Sequence, residues 1–421
     1  MQRLILFSLA AILCACSHSG SNSAFVQQQN GQFLVDKKPY YFIGANFWYG
    51  AILGSTGQGG NRERLLKELD FLQSIGVNNL RVLVGADGVD SQEVKVRPAL
   101  QIAPGVYNDT IFDGLDFLLA EMGKRKMYAV LFINNTWEWS GGYGQYLRWT
   151  GHVDLPADGR YTWDCYTHDL AKFSECDSCH QLFFAHVKNV MTRTNRYTNK
   201  PYADDPTIMT WEVGNEPRAL NRQQHEPFKA WLRKATALMR SLAPQQLIAI
   251  GSEGLAGCEM DSAVFHDIHA DPNVDYITIH IWPKNWSWIQ VPDVTKDLRS
   301  AIAKTNDYMA SSKALAEILR KPLVVEEFGY PRDHHLYTTD DPTTARDAYY
   351  ENIFAQVAQS AQSGGVVAGS NFWSWAGFGQ PTNERWQPWD DYLGDPAQEE
   401  QGLNSVFAHD ETIELIKKYV P

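Results

Sequence analysis

The 421-residue chain contains no run of the twenty or so apolar residues that a membrane span needs, so an ordinary transmembrane helix is excluded. Positive charge is also in deficit. Lys plus Arg number 37 against 49 Asp plus Glu, a net charge of −12, which disfavours a general nucleic-acid binder. No Pro-rich or Ser-rich linker follows about residue 30, and no repeat of 20 to 50 residues stands out, so a single domain is the simpler organisation. No Gly-x-Gly-x-x-Gly follows the first candidate strand, which removes the main support for a dinucleotide-binding open sheet. Hydrophobic residues (44%) and charged residues (20%) stand near globular averages, and this excludes a disordered chain. Against these absences stand 14 Trp and 19 Tyr, more aromatic faces than packing alone requires. Flat rings in such numbers suit polar, ring-shaped ligands, with carbohydrate first among them.

The N-terminus has the layout of a bacterial secretory signal: a basic start at Met1 to Arg3, an apolar run from Leu4 to Leu13, then small residues and cysteine. Leu13-Cys14-Ala15-Cys16 resembles a lipobox, which makes Cys16 the expected lipid anchor and residues 1–15 a removed signal. Residues 16–30 read as a polar tether and 31–421 as the folded domain. The expected location is therefore exported and membrane-attached only through lipid, as a monomer. Cys165, Cys176, Cys179 and Cys258 remain after export, and in an oxidising compartment they favour one or two disulfides over metal ligation, with three complete pairings open. Cys176-Asp177-Ser178-Cys179-His180 also matches a haem-attachment pattern, but no second axial ligand is evident.

The body of the chain alternates. Apolar, β-branched runs suited to buried parallel strands fall at Tyr40 to Asn46, Asn79 to Val84, Met127 to Asn134, Ile208 to Gly214, Leu247 to Gly251, Tyr276 to Ile281, Leu323 to Glu326 and Val366 to Phe372. Amphipathic stretches lie between them, at Arg62 to Ile75, Ile111 to Arg125, Leu182 to Thr194, Pro227 to Leu242, Asp293 to Leu319 and Thr344 to Gln362, with a last one at Glu411 to Tyr419. Eight such alternations predict an α/β fold, a single (β/α)8 TIM barrel, whose chemistry sits in the loops after the strands. Twelve of the fourteen tryptophans end or follow the first, third, sixth and eighth candidate strands, which predicts an aromatic cleft on that face.

Two of these strands end in carboxylates. Ile208 to Gly214 runs into Asn215-Glu216-Pro217, and Leu323 to Glu326 runs into Glu327-Phe328-Gly329, so Glu216 and Glu327 should emerge at the rim, 111 residues apart. Retaining glycoside hydrolysis needs such a pair, one protonated and one ionised, about 5 to 5.5 Å apart. With Arg81 on strand two, His280 after strand six and Trp373 at strand eight, most of residues 35 to 390 resembles glycoside hydrolase family 5. The stretches Asn134 to Gly142, His280 to Trp286 and Phe328 to Asp333 resemble its β-mannanase branch.

The resemblance implies Glu216 as acid/base and Glu327, directly before the aromatic-Gly pair, as nucleophile. Asn215 would bond the sugar 2-hydroxyl, Arg81 would keep Glu327 ionised, His280 would orient both carboxyls, and Trp373 would form the stacking floor. Strand alternation turns Glu326 away from the site, and Glu212, four residues before Glu216, reads as a buried structural carboxylate. Many members carry tyrosine where this chain has Trp282, whose indole N–H can still donate to a carboxylate. Trp48, Trp137, Glu138, Trp139 and Trp282 complete the expected substrate contacts. Asp333-His334-His335 and Asp340-Asp341 lack metal-site spacing and read as a solvated loop, and the mechanism calls for no metal or cofactor. The implied activity is a retaining endo-β-1,4-mannanase acting on plant-type mannan, glucomannan or galactomannan. An endo-β-1,4-glucanase and a non-catalytic glycan-binding lipoprotein are the alternatives.

Overall fold

The structure is a computed structural model that describes residues 24–89, 95–156, 158–335 and 339–421. The expected signal segment, Cys16 and the tether up to Ser23 lie outside the described residues. Eight parallel strands form one sheet: β1 (Phe42–Asn46), β2 (Asn79–Leu83), β3 (Tyr128–Phe132), β4 (Ile208–Glu212), β5 (Leu247–Ala249), β6 (Ile277–Ile281), β7 (Leu323–Phe328) and β8 (Val367–Phe372). Their order is β5-β4-β3-β2-β1-β8-β7-β6. The remaining seam is stitched rather than laddered. Asp275 N–H donates to Ile248 O (2.8 Å), Thr278 Oγ1 to Ser252 O (2.9 Å) and His280 N–H to Glu253 O (3.3 Å). Sequential order with closure is the barrel topology, and it excludes the open doubly wound sheet.

One principal helix follows each strand: α1 (Arg62–Ser74), α2 (Asp109–Lys124), α3 (Asp177–Met191), α4 (His225–Leu242), α5 (Ser262–His269), α6 (Leu298–Leu319), α7 (Thr344–Ser363) and α8 (Thr412–Tyr419), with three shorter helices, Gly50–Leu53 after β1 and Gly142–Trp149 and Trp163–His168 after β3, in the loops. The starts are set by side-chain caps. Asn61 accepts from Arg64 N–H, Asn108 from Thr110 N–H, and Asp261 from Ala263 and Val264 N–H. Leu65, Leu69 and Leu72 of α1 share the face that is buried against the barrel. Short α5 has no counterpart among the expected helices. Helix α3 begins five residues earlier than its apolar pattern suggests, because the Cys176 sulfur accepts from Cys179 N–H and caps it.

The strand N-termini are sealed by a three-stranded antiparallel sheet, Gln27–Gln29, Gln32–Val35 and Lys38–Tyr40. Val26, Phe33 and Tyr41 pack there on Tyr128, Met209, Leu247, Tyr276 and Val324. This corrects the tether boundary: Val26 is buried and Gln27 to Gln29 pair with Gln32 to Leu34, so the folded domain begins before residue 31. One buried apolar side chain outweighs the polar glutamines around it. With this end plugged, the cleft can open only at the strand C-termini.

Cys176 and Cys179 form a disulfide, while Cys165 and Cys258 are free thiols. The haem reading fails on this geometry. Both thiols of the motif are bonded to each other, and buried His180 places Nε2 2.8 Å from Phe173 O with its ring stacked on Trp231. The 333–341 region also has plain structural work: Asp333 accepts from Thr344 and Ala345 N–H at the start of α7, and His334 Nδ1 lies 2.5 Å from Asp341 Oδ1.

Candidate active site

The loops after β3, β4, β5, β6 and β8 and the end of β7 wall a cleft of about 470 Å³ above the barrel. Glu216 reaches its floor through an unusual backbone. Beyond β4 the chain continues along the barrel, with Asn215 N–H donating to Asn134 O (2.7 Å) and Glu216 N–H to Gly251 O (2.8 Å). Glu216 itself has φ 52°, the left-handed region that a side chain rarely occupies. Thr136 Oγ1 fixes it by donating to Glu216 O (2.7 Å). Gly251 (φ +81°) is needed opposite, since a Cβ there would lie 1.9 Å from Gly214 O. Local strain of this kind persists where the surroundings over-determine it, and it turns the carboxyl inward.

Glu327 arrives differently. The β6–β7 ladder pairs Ile279 with Val325 and His280 with Glu327, so Glu326 is an extra residue in a bulge. Strict alternation therefore fails at this point. Glu326 turns into the barrel interior, with Oε2 3.5 Å from His280 Nε2 and 3.6 Å from Arg81 Nε, instead of facing away. It remains below the cleft floor, as does Glu212.

Arg81, fully buried on β2, organises the floor. It donates from Nε to Glu212 Oε2 (2.9 Å), from Nη1 to Glu327 Oε1 (2.5 Å) and Asn46 Oδ1 (3.2 Å), and from Nη2 to Asn215 Oδ1 (2.9 Å). Its guanidinium carbon lies 4.4 Å from the centroid of the Phe132 ring. The Asn215 side chain, so oriented, donates to Asn135 Oδ1 (3.2 Å). His280 Nδ1 lies 2.8 Å from Glu216 Oε1 and 3.4 Å from Glu327 Oε2. Carboxylate oxygens of Glu216 and Glu327 and a ring nitrogen of His280 all fall within 4.8 Å of one another. Trp282 Nε1 donates to Glu327 Oε2 (3.3 Å), and Trp137 Nε1 donates to Glu216 Oε2.

Burial pushes Glu216 above the ordinary carboxylate range, against the pull of Arg218 and of the Trp137 N–H. Burial pushes Glu327 well up too, opposed by Arg81 and reinforced by the nearby Glu216 charge. Burial and the Arg81 charge hold His280 well below its usual value, so the imidazole is neutral. Two carboxyls this close in a dry site cannot both ionise cheaply, so the pair keeps one proton. Arg81 contacts Glu327 and not Glu216, which favours the charge on Glu327 and the proton on Glu216.

Among known proteins, a family model described as GH family 5 beta-mannosidase-like matches residues 23–421. The chain belongs to that family. Over 385 residues this family 5 protein is 32% identical to a putative mannan endo-1,4-β-mannosidase of Oryza sativa subsp. japonica, covering 88% of this chain and 86% of the relative. A glycoside hydrolase family 5 mannosidase from Rhizomucor miehei superposes with TM-score 0.86 at 35% identity, covering 95% of this chain and 97% of that one. An endo-β-1,4-mannanase from Thermotoga petrophila shares the fold, with TM-score 0.66, 21% identity and coverage of 91% and 77%.

The aromatic expectation for this family 5 protein holds in part. Trp137, Trp139, Trp163, Trp282, Trp286 and Trp373 line the cleft. Trp373 meets Trp282 and Trp139 edge-on, at 5.9 and 6.4 Å between centroids. Trp48 does not line the cleft. It is buried, donates from Nε1 to Gly394 O (2.7 Å), and buttresses Trp139 from behind. Trp375 is likewise a core ring, bonded to Glu68. Glu138 lines the cleft and accepts from Tyr166 OH, and burial pushes it up to about 7. Sequence reasoning missed Arg218, Glu253, Asn285 and Glu399, all on the cleft wall. Arg218 is ion-paired to Glu253, whose carboxyl burial raises to about 7. Both stand just beyond strand ends, two residues after Glu216 and Gly251, and that position was the available signal.

Proposed function

We propose that this protein is a retaining endo-β-1,4-mannanase. Glu216 protonates the leaving glycosidic oxygen while Glu327 attacks the anomeric carbon, forming a covalent glycosyl-enzyme. Glu216 then deprotonates a water that releases the sugar. The observation that carries the reading is the asymmetric pair: two carboxyls with oxygens within 4.8 Å, only one of them touching a guanidinium. Inverting enzymes leave about 6.5 to 9.5 Å for a water, so the shorter gap supports retention. Arg81 keeps Glu327 ionised, Asn215 meets the 2-hydroxyl, and Trp373 carries the reacting sugar. Mannan as substrate is supported by the relatives' names.

Reducing-sugar release from unbranched mannan and from soluble cellulose, by wild type beside Glu327→Ala and Glu216→Ala, tests this. Release from mannan that vanishes in Glu327→Ala is expected. Activity on cellulose alone selects the glucanase, and no activity on either selects a binding protein. A second reading, removal of single mannosyl units from chain ends, is favoured by the greater likeness to the Rhizomucor mannosidase than to the Thermotoga endo-mannanase. Early products from mannohexaose decide between them: mixed mannobiose and mannotriose for internal cleavage, mannose plus mannopentaose for terminal.

Export and lipid attachment at Cys16 are supported by the lipobox-like Leu13-Cys14-Ala15-Cys16. A Cys176–Cys179 disulfide fits an oxidising compartment. Cys16→Ser is expected to move the protein from the membrane to the soluble fraction.

A further inference from the structure

One wall of the cleft comes from the turn Asp395 to Asn404 of the loop after β8. Asp395 pins this turn by accepting from Gly402 N–H (2.9 Å), Asn404 N–H (3.0 Å) and Ser405 Oγ (2.6 Å). Gln401 Nε2 ties it further to Asp395 O (2.9 Å) and Pro396 O (3.0 Å). Ser374 N–H, next to Trp373, donates to Asn404 O (3.3 Å), which lays the turn beside the stacking ring. Glu400 points outward, 3.6 Å from Lys284 of the loop after β6. Its neighbour Glu399 points into the cleft.

Three polar atoms of this wall are shielded from solvent and have no hydrogen-bond partner among the described residues: Glu399 Oε2, Gln398 Oε1 and Trp373 Nε1. Buried polar atoms left unpaired beside a cleft are costly unless they find partners, and Gln398 and Glu399, both only partly buried, can turn theirs toward a ligand in it. A sugar ring on Trp373 offers what they lack, vicinal hydroxyls that both donate and accept. Burial, with Asp395 adding to it, pushes Glu399 up to about 8, so near neutral pH its carboxyl can donate as well as accept. The position is built: a rigid turn presents the side chain, and an ion pair holds the residue after it.

We infer that Glu399, assisted by Gln398, binds hydroxyls of the sugar that rests on Trp373 and is a specificity-determining residue for the glycan. This rests on the proposed β-mannoside hydrolysis. The test is a deletion cycle between enzyme and substrate, using wild type and Glu399→Ala with an activated aryl β-mannoside and its 2-, 3-, 4- and 6-deoxy forms. Glu399→Ala is expected to lower kcat/KM on the parent by about 10- to 100-fold. On one deoxy form the same substitution is expected to have almost no effect, since the partner is already gone. An equal loss across all five substrates, or no loss on the parent, overturns the inference. If Glu399→Ala melts lower than wild type, Glu399→Gln, which keeps the side-chain size, is read by the same coupling criterion. Wild type inactive on the aryl mannosides and on unbranched mannan alike refutes β-mannoside hydrolysis itself, a result distinct from either failure, and a wild type active on mannan alone is read by the same criterion with the corresponding aryl β-mannobiosides.

Discussion

Replacing Arg81 by Met removes a cation that contacts Glu212 and Glu327 and lies 3.6 Å from Glu326, while keeping a stem of similar length. All four side chains are essentially buried, so water cannot take over the lost charge. Breaking a buried pair from one side costs about 3 to 5 kcal/mol, a large part of a typical stability of about 5 to 15 kcal/mol. The loss should depend on pH with a definite sign. Arg81 opposes the upward push on Glu327, so without it Glu327 holds its proton to higher pH in the folded state. The unfolded carboxyl ionises near pH 4.3, as ordinary glutamates do. Between these values the folded variant binds about one more proton than its unfolded chain, and stability falls by about 1.4 kcal/mol per pH unit. A deficit of about 4 kcal/mol at pH 7 should thus be smaller at pH 5, by up to about 1.4 kcal/mol for each pH unit over which Glu327 is ionised in wild type and protonated in the variant. At about 2 °C per kcal/mol for a chain of this size class, thermal melts should show Arg81→Met lower by about 8 °C at pH 7 and by less at pH 5. Wild type measured at each pH is the reference. A deficit that stays constant or grows on acidification would refute the charge assignment, because lost packing alone does not titrate.

Removing each carboxyl should leave a gap that azide fills on its own face. Glu327→Gly with azide should yield the α-mannosyl azide and Glu216→Ala with azide the β-anomer, both distinguishable by NMR, and exchanged anomers would reverse the two roles. Trp282→Phe deletes a single N–H donor 3.3 Å from Glu327, so kcat should fall by about 3- to 10-fold, with Trp282→Tyr recovering part of the loss in steady-state kinetics. Trp137→Phe removes a donor that favours the ionised form of Glu216, so the basic limb of the kcat/KM profile should move to higher pH. A shift to lower pH would contradict the assignment of that limb to Glu216.

The frame was legible in the sequence because burial on both faces forces β-branched runs, and eight of them alternate with amphipathic stretches. Glu216, Glu327, Arg81, His280 and Asn215 were legible because each sits at a strand end or on a strand, where one-dimensional position becomes barrel position. Trp282 was legible as a donor from its chemistry alone, and its N–H does meet Glu327. Legibility failed where a loop folds back. Trp48 follows β1 as expected of a cleft ring, yet the turn at Gly394 covers it and takes its N–H. Glu399 lies 27 residues beyond β8, and only the tertiary pinning by Asp395 returns it to the cleft. Gln27 to Gln29 read as tether because polarity masks Val26, whose burial is set by the barrel bottom.

The bulge at Glu326 shows why alternation is least safe at a catalytic strand. A regular β7 would put one of two consecutive glutamates on the outer face of the barrel. The extra residue turns both inward, and the cost is a second acid beside the nucleophile. That acid cannot be charged there: burial and Glu212 push Glu326 well above its usual value, and it lies within reach of a single guanidinium already serving two partners. Protonated Glu326 then leaves Arg81 to divide its charge between Glu212 and Glu327. Glu326→Gln should therefore preserve both melting temperature and the pH profile, because an amide has the same charge as the acid it replaces. Glu326→Ala should instead lower the melting temperature through the space it opens beneath His280. A marked change of the pH profile in Glu326→Gln would mean that Glu326 carries charge in the folded enzyme, and Arg81 would then have to be shared among three carboxylates.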